Sequence, residues 1–170
     1  MAMANWTTGY TKTELDEVQE RFALRFPPDL VELLQEKRPC AGFDWRSDNE
    51  EIRAALRWPL EGLLFDVEMS DFWLSAWGPR PSNPKERNNI ATLAVAAAPK
   101  LIPLFGHRFI PEEPHERGNP VFSVYQTDVI YYGANLEDYF RREFKEIAWA
   151  ADWPIPKRIR FWSDLVDDNI

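Results

Sequence analysis

A chain of 170 residues is sized for one domain and buries enough surface to need no disulfide or metal staple. Its formal charge of −8 speaks against a phosphate-backbone partner, since the most basic stretches, Arg141-Arg142 and Lys157-Arg158-Ile159-Arg160, are short and flanked by acids. The apolar run from Ile90 to Ala98 is too short for a membrane span, Met1 to Thr7 shows no signal peptide, and Cys40 has no second cysteine, so a cytoplasmic protein is expected.

In chain order, Thr11 and Glu14 have capping-box spacing, and Leu15, Val18 and Phe22 recur at helical intervals. This predicts a helix from about Thr11 to Leu24, with Glu14, Asp16, Glu17 and Glu20 in its first turns, where acids complement the helix dipole. Pro27-Pro28-Asp29 separates it from a second helix carrying Leu30, Val31, Leu33 and Leu34 and stopped by Pro39. Asp48 and Glu51 have N-cap and N3 spacing for a third helix through about Arg57. Pro59 then begins or kinks a further helical piece with Leu60, Leu63, Leu64 and Val67. Asp71 to Gly78 reads as irregular and aromatic, and Pro79 to Pro84 as a loop. Asn83-Pro84-Lys85-Glu86 is a helix start, with Ile90, Leu93, Ala94 and Ala97 as the buried face.

The pattern then changes to strands at Leu101 to Phe105, His107 to Ile110, Val121 to Tyr125 and Asp128 to Tyr132. Glu112 to Asn119 is a polar loop, and Gln126-Thr127 is a turn. Asn135 caps a helix with Asp138 at N3 and an inner stripe of Leu136, Tyr139, Phe140, Phe144 and Ile147. From Pro154 the tail looks irregular, with Ser163 capping a last turn. Helices first, strands next and a helix last is an α+β order. The expectation is one domain over residues 1–170, an antiparallel or mixed sheet flanked by helices, with residues 1–10 and 154–170 peripheral.

Catalytic motifs are missing: no glycine-rich nucleotide loop, nucleophile elbow or His-Glu-x-x-His occurs, so neither a catalytic residue nor a cofactor is assigned. His107 and His115, with Glu112, Glu113 and Glu116 around them, match no ligand spacing and read as a surface loop, not a metal site. Asp128 either accepts backbone hydrogen bonds at its turn or, buried beside His107, acts as a general acid or base. Arg108 either binds an anion or forms a structural ion pair. The aromatic residues Trp58, Trp73, Trp77, Phe105, Tyr125, Tyr131 and Tyr132 form a core or, where exposed, anchor an interface.

Two places resemble the SUKH superfamily. One is the acidic first helix leading into Phe26-Pro27-Pro28-Asp29-Leu30, similar to the family's Leu-Pro-x-Asp and apolar helix. The other is Leu101-Ile102-Pro103-Leu104, a Gly-containing turn, then Val121 to Tyr132 and the helix from Asn135 to Phe144, similar to the family's strand–strand–helix ending. Together they span about residues 11–148. The chain differs in having Lys37-Arg38-Pro39 where the family often has Asn-Gly, and Gly106-His107-Arg108 where it often has an acidic turn. The resemblance implies an α+β domain without cofactor or catalytic residues, and in bacteria an immunity protein that neutralises a toxin.

The first 70 residues hold 14 acids against 8 bases, net −6, and the remainder is net −2. With the resemblance, this predicts a non-enzymatic protein-binding domain, an immunity protein whose partner is a basic toxin domain, with no nucleic-acid or membrane partner. The contact residues expected are Glu14, Glu17, Asp48, Glu50, Glu51, Trp73, Trp77, His107 and Arg108. The alternatives are a small hydrolase or ligand-binding enzyme using His107 and Asp128, or a regulatory scaffold without a toxin. An enzyme needs His107 and Asp128 in one concave pocket.

Overall fold

The computed structural model describes residues 5–168, which form six α-helices and two antiparallel sheets in an α+β arrangement. The first helix, α1 (Lys12–Phe22), opens on the expected capping box: Glu14 N donates to Thr11 Oγ1 (3.1 Å), and Thr11 N donates to the Glu14 carboxylate (2.9 Å). It ends where Ala23 turns left-handed, and α2 (Pro28–Glu36) follows with Pro28 in its first turn. Two short strands, β1 (Trp6–Thr8) and β2 (Lys37–Pro39), pair antiparallel and tie the N-terminal segment to the end of α2. Tyr10, from the stretch read as peripheral, is buried, and its hydroxyl donates to Phe43 O.

The third helix, α3 (Glu50–Met69), is capped by Asn49, whose side chain accepts from Ile52 N (2.9 Å), rather than by Asp48. It runs as one piece through Pro59, where a break or kink was expected. An internal proline costs a helix roughly 3 kcal/mol, so tertiary contacts must hold it. One ridge supplies them. Trp58 Nε1 donates to Val124 O (2.7 Å), Gly62 lies so close to the Gln126-Thr127 turn that a Cβ would sit 2.8 Å from Gln126 Cα, and the buried Asp66 accepts from Thr127 N and Oγ1 (3.0 and 2.6 Å).

A 3₁₀ turn at Ser75–Trp77 precedes α4 (Pro84–Ala97), which begins at the expected Asn83 cap. Its buried positions are Arg87 and Ala91, while Leu93, expected inside, is 62% exposed. The helix is turned by Arg87, which forms two hydrogen bonds to Glu68 of α3 and donates to Pro81 O and Ser82 O. An anchored guanidinium fixes the rotation that apolar spacing alone left open.

The main sheet is a meander of β3 (Leu101–Phe105), β4 (Arg108–Pro111), β5 (Val121–Tyr125) and β6 (Asp128–Gly133), in that order. Pro103 sits on the edge strand β3, beside a break in register, where a missing donor is tolerated. One sheet face packs Phe109, Phe122, Val124 and Val129 against Leu63 and Val67 of α3, Ala91 of α4, and Ile159, Trp162 and Leu165. The last two belong to α6 (Trp162–Asp168), so the tail expected to be irregular supplies core. Ser163 accepts from Ile159 N and from the Tyr131 hydroxyl, which pins α6 to β6. The other face packs Ile102, Ile110 and Val121 against Leu15, Leu30 and Leu34, and against Leu136, Tyr139 and Phe140 of α5 (Leu136–Glu143). This last helix starts at the expected Asn135 cap and crosses the sheet at Gly133, where a Cβ would stand 2.4 Å from Tyr139 Cβ.

Candidate protein-binding surface

The second sheet face is covered only in part. Strand pairing aligns Arg108, Ser123 and Ile130 in one row and Tyr125 with Asp128 at the turn. Because side chains alternate between faces, Arg108, Ser123, Tyr125, Asp128, Ile130 and Tyr132 share the face that α5 packs against. α5 covers its Gly133 end and leaves the turn end bare. Tyr125 is 53% exposed and Ile130 39%, and Trp149, beyond α5, is 48% exposed with its ring against Tyr132 at 4.6 Å.

Arg108 organises this surface. Its guanidinium lies 3.6 Å over the Tyr132 ring, donates to Ser123 Oγ (3.0 Å) and stands 3.6 Å from the Glu143 carboxylate. Under it the Tyr139 hydroxyl is buried with no hydrogen-bond partner among the described residues, and burial, reinforced by Glu143, pushes that phenol far above its ordinary range. His107 is exposed at the β3–β4 turn, stacked face to face on Trp58 at 4.4 Å and edge-on to Tyr125 at 5.9 Å. The two residues on which an enzymatic reading depends, His107 and Asp128, share no hydrogen bond, and Asp128 is exposed. His115 lies exposed in its loop, and no group of three or more His, Cys, Asp or Glu among the described residues is placed to hold a metal.

No family model, curated protein or solved structure matches the chain.

The other expected contact residues are placed differently. Glu14 is committed to its cap, Asp48 grips Arg53 through two bonds of 2.6 Å, and Glu50 pairs with Arg57. Glu17 and Glu51 are exposed. Among the acids of the first half, Asp44, Asp48, Glu50 and Glu61 pair with the nearby arginines Arg46, Arg53 and Arg57, which spacing along the chain had not revealed. Trp73 and Trp77 are half-buried against the α3–α4 core and against each other at 4.9 Å, with the Trp73 indole donating to Gly78 O. The exposed aromatic residues among those described are Phe65 on α3, Tyr125 and Trp149, and neither Phe65 nor Trp149 was singled out in the sequence.

One of these pairs has a readable titration. Two hydrogen bonds from Arg46 hold the Asp44 carboxyl down at about 2. A depressed carboxyl stabilises the fold above the unfolded value of ~3.9, and that contribution disappears as pH falls through the folded value. Asp44 is half exposed, so the stability at stake is small. NMR titration should find its midpoint near 2, rising toward ~3.9 in Arg46→Ala. A midpoint unmoved by the substitution contradicts the pairing.

Proposed function

We propose that the chain is a non-enzymatic protein-binding domain of the immunity type, which neutralises a basic toxin domain by covering part of its surface. The observation that carries the reading is the bare half of the sheet face, where Tyr125, Ile130 and Trp149 stand exposed around the Arg108–Tyr132 stack. Tyrosine, tryptophan and arginine on a rigid mount are the residue types that dominate binding energy at interfaces. The mount is rigid here because α3 is bonded to the β5–β6 turn through Trp58, Gly62 and Asp66, and the Trp58 ring meets the Tyr125 ring edge-on at 5.7 Å. The net charge of −8 supports a basic partner, since steering depends on the summed field even where neighbouring charges are paired. The resemblance of Phe26 to Leu30 and of Leu101 to Phe144 to the SUKH superfamily supports a toxin as that partner.

The test compares immobilised wild-type protein with a Tyr125→Ala/Ile130→Glu variant and with Leu93→Glu on α4, each in lysate of its own cells supplemented with the toxin domains those cells encode. One chain should be retained by the wild type and by Leu93→Glu and lost by the double variant. Retention by all three, or by none, overturns the reading.

A further inference from the structure

A concavity distinct from the bare sheet face borders α5. It is a cleft of about 650 Å³ between β1, α2, the loop at Arg117-Gly118 and α5. Its apolar lining comes from Trp6, Leu33, Leu136 and Phe140, with Trp6 and Phe140 edge-to-face at 4.9 Å. Charges surround that lining, and most are already answered. Asp29 accepts from Leu30 N and Gly118 N, Glu32 pairs with Arg117, and the Lys37 ammonium rests over the Trp6 ring at 4.4 Å. Glu36, Glu137 and Glu146 line the cleft as well, facing Arg141 as the other cation, so the unanswered charge is an excess of carboxylate.

From this arrangement we infer that the cleft binds an extended peptide segment carrying arginine or lysine side chains. Apolar stems lie on the half-exposed Trp6 and Leu33, with the buried Leu136 and Phe140 as the floor beneath them, and the charged heads reach Glu137 and Glu146. Long basic side chains are suited to such a place because their methylene stems bury against apolar surface while the head stays at the carboxylate rim. The Trp6–Lys37 contact shows in the protein itself that this aromatic wall accepts an ammonium on its face. A nucleotide, phosphate or other anionic ligand is disfavoured by the same carboxylates. The site is separate from the bare sheet face, and neither depends on the other; Glu146 lies between the cleft and the smaller hollow beside Trp149.

The probe is a capped pentapeptide of alternating arginine and leucine, titrated into ¹⁵N-labelled full-length protein at about 0.05 M salt, where screening is weak. Its control is the same peptide with citrulline for arginine, which keeps the shape and removes the charge. Amide shifts should concentrate at Leu33, Leu136, Glu137 and Phe140. Affinity should fall about tenfold or more with the citrulline peptide and with the Glu137→Gln/Glu146→Gln variant, which removes two charge contacts. Equal binding of the two peptides, or binding indifferent to the double variant, overturns the inference. Shifts confined to Tyr125, Ile130 and Trp149 also overturn it, while leaving the sheet-face reading intact.

Discussion

Arg142→Ala will destabilise the protein by about 3–5 kcal/mol, the cost of leaving a buried charge without its partner. The guanidinium is fully buried and meets Asp138 at 3.0 Å, one turn earlier on α5. It also donates to the carbonyls of Ala148, Trp149, Ala151 and Asp152 and lies 4.0 Å from the Trp153 ring. A single side chain therefore satisfies four carbonyls of the segment that follows α5. Asp138 in turn accepts from Ala134 N, which joins this segment to the end of β6. The effect has a signature beyond its size. Because Trp149 hangs on this segment, the variant should loosen the exposed ring together with the fold. The Asp138→Asn/Arg142→Met pair should cost less than the single change, since no unpaired charge remains. Urea unfolding of the three proteins measures this; a single variant as stable as the wild type contradicts it.

Phe140→Ala should cost a similar ~3–5 kcal/mol, as deletion of a buried aromatic ring leaves a cavity that its neighbours only partly fill. Phe140 is 6% exposed and touches Trp6, Tyr139 and Phe144 at ring separations of 4.9, 4.7 and 5.7 Å. It is the point where β1, α5 and the core behind the cleft meet. Thermal unfolding reads the loss, and an unchanged midpoint would mean that the ring is not core.

That helix was legible in the sequence because its cap, its spacing and its stripe are local: Asn135, Leu136, Tyr139 and Phe140 all stand where the pattern put them. The Thr11 and Asn83 caps and the alternation along β5 and β6 were legible for the same reason. What could not be read depends on distant partners. The continuity of α3 through Pro59 rests on Val124, Gln126 and Thr127, more than 60 residues away. β1 and β2 are three-residue strands with meaning only as a pair, and α6 is placed by packing of Trp162 and Leu165 on the sheet and by the Tyr131–Ser163 hydroxyl bond, all partners distant in sequence. The candidate surface was half legible. Arg108 and His107 were singled out, but that Tyr125, Ile130 and Trp149 stay exposed around Arg108 follows from how far α5 reaches over the sheet, which no local pattern encodes. Of the acids expected as contacts, Asp48 and Glu50 hold Arg53 and Arg57, pairings that spacing along the chain did not reveal.

Whether the bare half of the sheet face is the interface is tested most directly by amide hydrogen exchange on the complex with the captured partner. Exchange should slow on binding at Ser123 to Tyr132 and around Trp149, and remain unchanged over α4. Slowing confined to α1 and the first turns of α3, or no slowing on β5 and β6 in a complex that demonstrably forms, would contradict the account.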